Sequence, residues 1–312
     1  MRKIKHKDII VCPYCRLQFK CVYVDNDKLW GKAVCSCDEF PFINGIYYLL
    51  RDDQLLNRRA VELIFKNKKY KALSLLLFDL PVKIKFCIYF IDLLKRRLSI
   101  TPPLNLLLFF FESILPNKSW FRYLRKRGKL GNLDLPLKVY KDLPNNLIVD
   151  IGCGIGSFLD VLKRNIPKFK CQYFGIDKSL FSLFISRLYN SDNNSTLICA
   201  DIDCGIPFKR YIKASIFFID SFWHIKNKPR LLTEFSYQLK PGSQLAVIYM
   251  YPTNKVSKYW GYGASSVSLN NHLTKLYRRT VFFENKLTKS DDLKPIRRLS
   301  TKTSYYSCYA LK

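Results

Sequence analysis

The chain has 312 residues, with 53 Lys and Arg against 24 Asp and Glu and a formal net charge of +29. A hydrophobic content of 48% excludes an intrinsically disordered chain, and 11 cysteines in a chain this long exclude a small disulfide scaffold. The charge excess is spread, with 26 basic and 12 acidic residues in 1–135 and 27 and 12 in 136–312, so charge alone does not select nucleic acid or an anionic membrane as partner.

The opening MRKIKHKDIIVCPYC has no apolar h-region. It predicts no signal peptide, a cytoplasmic setting and reduced thiols. Residues 1–50 are rich in cysteine and aromatics. Alternating runs such as Phe19-Lys20-Cys21-Val22-Tyr23-Val24 predict small strands joined by turns. Two cysteine knuckles, Cys12-Pro-Tyr-Cys15 and Cys35-Ser-Cys37, flank that stretch. Four thiolates in two knuckles suit tetrahedral Zn²⁺, which would replace the core that so small a module lacks. The second knuckle is CxC where CxxC is usual. Cys21 therefore stands as an alternative ligand, and a degenerate ribbon without zinc as the alternative reading. No thioredoxin-like βαβ pattern surrounds the knuckles, which disfavours a redox pair.

Residues 51–135 read as helices over 52–72, 83–98, 104–114 and 118–127. Apolar residues recur at three and four spacing, for example Leu76, Leu80, Ile84 and Ile88, with Pro81 breaking the run. The longest apolar stretch, Leu73 to Leu94, is interrupted by Asp79, Pro81, Lys83 and Lys85. The run Leu104 to Phe111 is far shorter than the roughly 20 residues of a membrane span. No transmembrane helix is predicted, and peripheral membrane contact stays open. The segment holds 18 basic and 7 acidic residues, grouped at Arg58-Arg59, Lys66–Lys71, Lys95–Arg97 and Arg122–Lys129. This pattern fits a solvated face, an RNA-backbone contact, or an apolar and basic lid over a hydrophobic acceptor or anionic lipid.

Residues 136–312 alternate strand-like and amphipathic helical runs, which predicts an α/β domain with a parallel sheet. The predicted strands are Leu147–Ile151, Tyr173–Asp177, Thr196–Ala200, Ala214–Asp220 and Gln244–Met250. Thr280–Glu284 and Ser304–Leu311 read as a closing antiparallel hairpin. The first strand runs into Asp150-Ile-Gly152-Cys153-Gly154-Ile-Gly156-Ser157. Glycines there let the backbone turn sharply and approach a ligand. The third glycine comes one residue too early for a dinucleotide fingerprint. The acid two residues before the first glycine suits a cationic, amino-acid-like ligand better than a pyrophosphate. Asp177, followed by Lys178, ends the second strand, where a carboxylate can accept two ribose hydroxyls. Asp201 follows the third strand, where an acid can meet an adenine amino group, and Asp220 ends the fourth.

The pieces VDIGCGIGSFLDVL, FGIDKS, ICADID and YQLKPGSQLAVIY resemble class I S-adenosylmethionine-dependent methyltransferases of the type-11 methyltransferase-domain group. The resemblance implies a Rossmann-like seven-stranded sheet with a reversed last strand. It implies S-adenosylmethionine as cofactor, with Asp150, Gly152 and Gly154 at its methionine end, Asp177 at the ribose, and Asp201 with Ile202 at the adenine. Cys153, Gly156, Lys178 and Asp220 complete the expected cofactor site. Phe40-Pro-Phe-Ile-Asn-Gly-Ile-Tyr-Tyr-Leu-Leu50 resembles the tail of zinc-ribbon segments that precede some bacterial methyltransferases, including an rRNA guanine methyltransferase family.

Methyl transfer from a sulfonium is an in-line displacement that chiefly requires positioning of the acceptor. His224, in Asp220-Ser-Phe-Trp-His224, is the candidate general base. Tyr249, Tyr251, Trp260 and Tyr262 are candidates for an acceptor pocket. The sequence lacks the (Asp/Asn)-Pro-Pro-(Tyr/Phe) element of exocyclic amino methylation and a Pro-Cys nucleophile after the fourth strand. The leading expectation is a methyltransferase acting on a small molecule, lipid or glycan precursor. The alternatives are an rRNA or tRNA base methyltransferase and a non-catalytic RNA-binding or assembly protein.

Overall fold

The computed structural model describes residues 9–51, 53–77, 80–98, 102–114, 122, 133–142, 144–166, 169–190, 194–250, 265–284 and 306–312. The cysteine-bearing segment is a meander of β1 (Lys20–Tyr23), β2 (Gly31–Val34), β3 (Glu39–Ile43) and β4 (Ile46–Tyr48). Its tightest turn is Asn44-Gly45, with φ of 51° and 79° between the paired residues Ile43 and Ile46. Both positive φ values are those of a two-residue hairpin turn, which favours Asn-Gly.

The α/β strands are β5 (Leu147–Ile151), β6 (Gln172–Asp177), β7 (Ser195–Cys199), β8 (Ser215–Ile219), β9 (Gln244–Met250), β10 (Arg279–Glu284) and β11 (Tyr306–Leu311). They take the order β7-β6-β5-β8-β9-β11-β10, parallel except for β11, which is antiparallel to both neighbours. This sheet does not stop at seven strands. β4 pairs in parallel with β7, Ile46 with Leu197 through Tyr48 with Cys199, so β1–β4 extend it to eleven. The cysteine-bearing strands, expected as a small module ahead of the sheet, continue it.

Side chains alternate across the sheet with the period of two that strands impose. Val149, Ile216, Phe218 and Val247 face one core, shared with Phe40, Phe208 and Phe235. Ile148, Phe217, Ile219 and Ile248 face the other, with Phe158, Leu159 and Tyr140. The helices covering these faces include α5 (Asp134–Asp142), α6 (Ser157–Asn165), α7 (Leu180–Tyr189), α8 (Lys228–Gln238) and α9 (Ser266–Leu276).

The remaining helices are α1 (Gln54–Phe65), α2 (Lys69–Leu76), α3 (Val82–Leu98) and α4 (Leu104–Ile114). The single helix expected over 52–72 is split. Asn67 takes φ of 57°, its N–H reaches Ile64 O, and the Lys68 N–H reaches Leu63 O. That is a Schellman closure, with Asn in the place glycine usually holds. Pro81 separates α2 from α3 as expected. Ile84, Ile88 and Ile91 of α3 are buried with Leu107, Leu108 and Phe111 of α4. Phe111 meets Phe181 of α7 edge-on, with ring centroids 5.6 Å apart. The helix expected over 118–127 lies outside the described residues, apart from Arg122.

Phe40 joins the meander to the main core. It is fully buried, parallel to Tyr14 at 6.0 Å and edge-on to Phe19 at 5.9 Å. Phe40→Ala is expected to cost about 3–5 kcal/mol of unfolding free energy, measured as a lowered urea midpoint.

Candidate functional site

Parallel pairing aligns the C-terminal ends of β5, β6, β7 and β8 along one edge, and the strand order reverses between β5 and β8. Ligands of open α/β sheets bind in that crevice. The glycine loop leaves β5 there. Gly152, Gly154 and Gly156 have φ of 73°, 55° and 77°. Each does something different with its missing side chain. A Cβ on Gly152 would lie 2.4 Å from Ser221 Cβ, and one on Gly156 would lie 2.3 Å from Ser186 Oγ. Those two glycines allow close packing within the protein. A Cβ on Gly154 would meet nothing within 4 Å, so this glycine faces open space. The Gly152 and Cys153 N–H groups both donate to Ile176 O, at 2.7 and 3.1 Å, tying the loop to β6.

Asp177, at the end of β6, takes up the loop's outer N–H. Gly154 N donates to Asp177 Oδ2 and Ser179 N to Oδ1, both at 2.8 Å. These two bonds orient the carboxylate. Asp150 lies elsewhere. It is buried, and the Tyr173 hydroxyl donates to its Oδ2 at 2.6 Å. Its carboxylate is thereby tied to β6. Cys153 is buried, and a Cβ on Gly175 would lie 2.9 Å from its Sγ.

Past β7, Asp201 is paired with Lys178 Nζ at 2.8 Å and accepts the Asp203 N–H at 3.0 Å. Partial burial would raise its carboxyl; the Lys178 and Asp203 hydrogen bonds outweigh that and hold it below its ordinary value. Ile202 beside it is buried. The Asp203 side chain accepts the backbone N–H groups of Lys226 and Asn227, linking this loop to the one after β8. There Asp220 has a left-handed φ of 52°, and Trp223 Nε1 donates to its carbonyl and carboxylate at 3.0 and 3.2 Å. His224 is exposed on the following 3₁₀ turn, its ring stacked on Trp223 with centroids 3.7 Å apart. Tyr249 has a left-handed φ of 62°, and its N–H donates to Ser307 Oγ. Tyr251, Trp260 and Tyr262 lie outside the described residues.

The second cluster is the four cysteines. The Sγ atoms of Cys12, Cys15, Cys35 and Cys37 all lie within 4.8 Å of one another. Cys12–Cys37 is 3.6 Å and Cys35–Cys37 is 3.3 Å. A thiolate tetrahedron around zinc, with Zn–S of about 2.3 Å, has edges of about 3.8 Å. The CxC knuckle therefore reaches the same point as the CxxC knuckle. Cys21 is turned to the Tyr47 hydroxyl, 3.7 Å away. Arg51 braces the cluster, donating to Cys37 O at 3.0 Å, pairing with Asp38 at 3.3 Å and covering the Tyr14 ring at 4.7 Å. Burial pushes the Cys12 thiol up to about 11. At Cys15 burial also opposes ionisation, but the Leu17 N–H and hydrogen bonding with Ser36, Cys37 and Cys12 bring the thiol down to about 6.

This cluster rests on the loop that follows Asp201. Gly205 has φ of 154°, and a Cβ there would lie 2.3 Å from Pro13 O, inside the first knuckle. The Arg16 guanidinium donates to Ile206 O, and to Phe208 O at 3.0 Å. Ile10 bridges Phe208 in antiparallel fashion. Arg16, Gly205, Tyr173 and Asp203 were not singled out from the sequence. Only the position of Arg16, directly after CPYC, offered a local signal.

Residues 149–247 match the family model described as a methyltransferase domain. The match covers 99 of the 312 residues, all within the predicted α/β segment. The resemblance to S-adenosylmethionine-dependent methyltransferases is thereby borne out. No curated protein matches the chain. Among solved structures, an S-adenosylmethionine-dependent methyltransferase from Thermotoga maritima, described as a possible histamine N-methyltransferase, is 17% identical. It covers 65% of this chain and 97% of its own, with a TM-score of 0.45. Phosphoethanolamine N-methyltransferase 2 of Haemonchus contortus is 16% identical over 72% of this chain and 60% of its own, with a TM-score of 0.45. Geranyl diphosphate C-methyltransferase of Streptomyces coelicolor is 15% identical over 57% and 76%, with a TM-score of 0.41.

The Lys178–Asp201 pair gives a titration test. A carboxyl held below its ordinary value of 3.8 contributes stability above that pH and loses it as pH falls through the lower value. Lys178→Met is expected to move the Asp201 titration upward, measured by NMR of the side-chain carboxyl.

Proposed function

We propose that this chain transfers a methyl group from S-adenosylmethionine to a small-molecule, lipid or glycan-precursor acceptor. The observation that supports the cofactor in this reading is the arrangement at Gly154: a left-handed glycine facing open space, its N–H fixed on Asp177. A backbone free of Cβ beside an oriented carboxylate suits a nucleoside with a charged amino-acid arm. The cofactor, when bound, supplies an electrophilic methyl group on a sulfonium. Gly152 and Gly154 would line its methionine end, with Asp150, held by Tyr173, just before them in the chain. Asp177 would accept the ribose hydroxyls, and Asp201 with Ile202 would border the adenine. Across the crevice Asp220 fixes Trp223, on which His224 stacks. His224 would take the acceptor's proton.

Isothermal titration with S-adenosylhomocysteine tests the cofactor. Binding is expected, and Asp177→Ala is expected to weaken it by roughly 10- to 100-fold, the scale of one or two hydrogen bonds to a charged group. An undiminished affinity in that variant would remove the assignment. A tritiated methyl-transfer assay on fractionated extract from cells lacking this protein tests the acceptor class. Label is expected in lipid or small molecules. Label in RNA would replace this reading with the RNA one, and no label in any fraction would favour a non-catalytic role.

We propose zinc for the four-cysteine cluster, on the strength of its Sγ spacing and the knuckle fit on Gly205. One zinc per chain is expected by elemental analysis, and none in Cys12→Ser. Because Pro13 and Arg16 hold residues 205–208, loss of the metal is expected to speed amide hydrogen exchange there and across Asp201–Asp203.

A further inference from the structure

The outer helices carry apolar residues on two opposite faces. On α3, Ile84, Ile88 and Ile91 are buried in the core. On the other side, Val82, Phe86, Phe90 and Leu93 form a second stripe, with Val82 80% and Phe86 69% exposed. On α4, Leu107, Leu108 and Phe111 point inward while Leu106, Phe109 and Phe110 are exposed. The two outer stripes meet: Val82, Phe86 and Cys87 share an apolar hollow with Phe110, and Lys83 also lines it. A water-facing helix ordinarily keeps its outer side polar, so a joined apolar face on two helices marks an interaction surface.

Charge identifies what covers it. Lys83 and Arg97 are exposed on the same side of α3 as the stripe. Each helix has a single carboxylate, and neither is left to face an anion. Asp92 is buried and accepts from the Tyr70 hydroxyl, and Glu112 is paired with Arg122 at 3.1 Å. Residues 51–135 as a whole hold 18 basic against 7 acidic residues. Two copies of a chain with a net charge of +29 repel each other, which disfavours a self-paired face. An RNA backbone would engage the cations and leave the aliphatic stripe in water. An anionic bilayer satisfies both, with phenylalanines at the acyl boundary and cations among the head groups. No helix among the described residues is long and apolar enough to cross a membrane, so the contact is in the plane of the interface.

We propose that the outer face of α3 and α4 docks the protein on anionic lipid membranes. The test is vesicle flotation of the full chain, using phosphatidylcholine vesicles with and without 30% phosphatidylglycerol, about that fraction being enough for a negative surface. Variants Phe86→Ser/Phe110→Ser and Lys83→Gln/Arg97→Gln alter exposed positions only, and thermal unfolding together with S-adenosylhomocysteine binding checks that each is folded. Flotation with the anionic vesicles is expected for the parent protein, reduced at least 10-fold in the phenylalanine variant and reduced in the charge variant. No flotation of the parent, or equal flotation of parent and phenylalanine variant, overturns the proposal. So does a parent dimer in sedimentation velocity that Phe86→Ser/Phe110→Ser converts to a monomer, which would make the face a contact between copies. Failure of the cofactor to bind would sink the methyltransferase reading and leave this proposal standing.

Discussion

Three residue pairs between β4 and β7, Ile46 to Tyr48 against Leu197 to Cys199, make one sheet of what would otherwise be two structures. Much of the rest depends on that seam. It carries Leu49, whose N–H reaches Cys199 O, to the C-terminal edge of the parallel strands. It also brings the first cysteine knuckle against Gly205, a few residues past Asp201. A four-cysteine site in an independent module would stabilise only itself. Here its contacts run into the loop that borders the proposed adenine position.

The glycine loop and its acids were legible because their constraints are local. Three alternate glycines after an apolar strand need positive φ, and strand ends place Asp177, Asp201 and Asp220 on one edge whatever the rest of the chain does. The seam was not legible, because nothing in Ile46-Tyr47-Tyr48 names a partner near residue 198. The break at Asn67 was missed for a different reason. Asn tolerates a left-handed conformation at some cost, so it ends helices less conspicuously than glycine. Asp150 shows the limit of motif reading. Its position was recognisable, but only Tyr173, 23 residues on, shows that its carboxylate is turned into the core.

Among the described residues, one connection between the outer helices and the crevice runs through α7. Phe111 of α4 packs on Phe181, in the first turn of α7, and α7 starts just after Lys178. Lys95 of α3 donates to the carbonyls of Arg187 and Leu188 at the other end of that helix. α7 is thus gripped at both ends by the layer that bears the exposed aromatic face. Its Ser179 side chain caps the first turn by accepting the Ser182 N–H. The apolar runs build a core with one face of each helix and leave the other face exposed.

The β4–β7 seam also has a consequence in time. Its two strands are about 150 residues apart in the chain, and contacts so distant close late. During synthesis the first fifty residues leave the ribosome well before the strand they must join. In that interval the meander is held by its own turns, its cysteines and α1, which packs on β2 and β3. All four cysteines of the proposed metal site lie within those first fifty residues, so the site is complete before β7 is made.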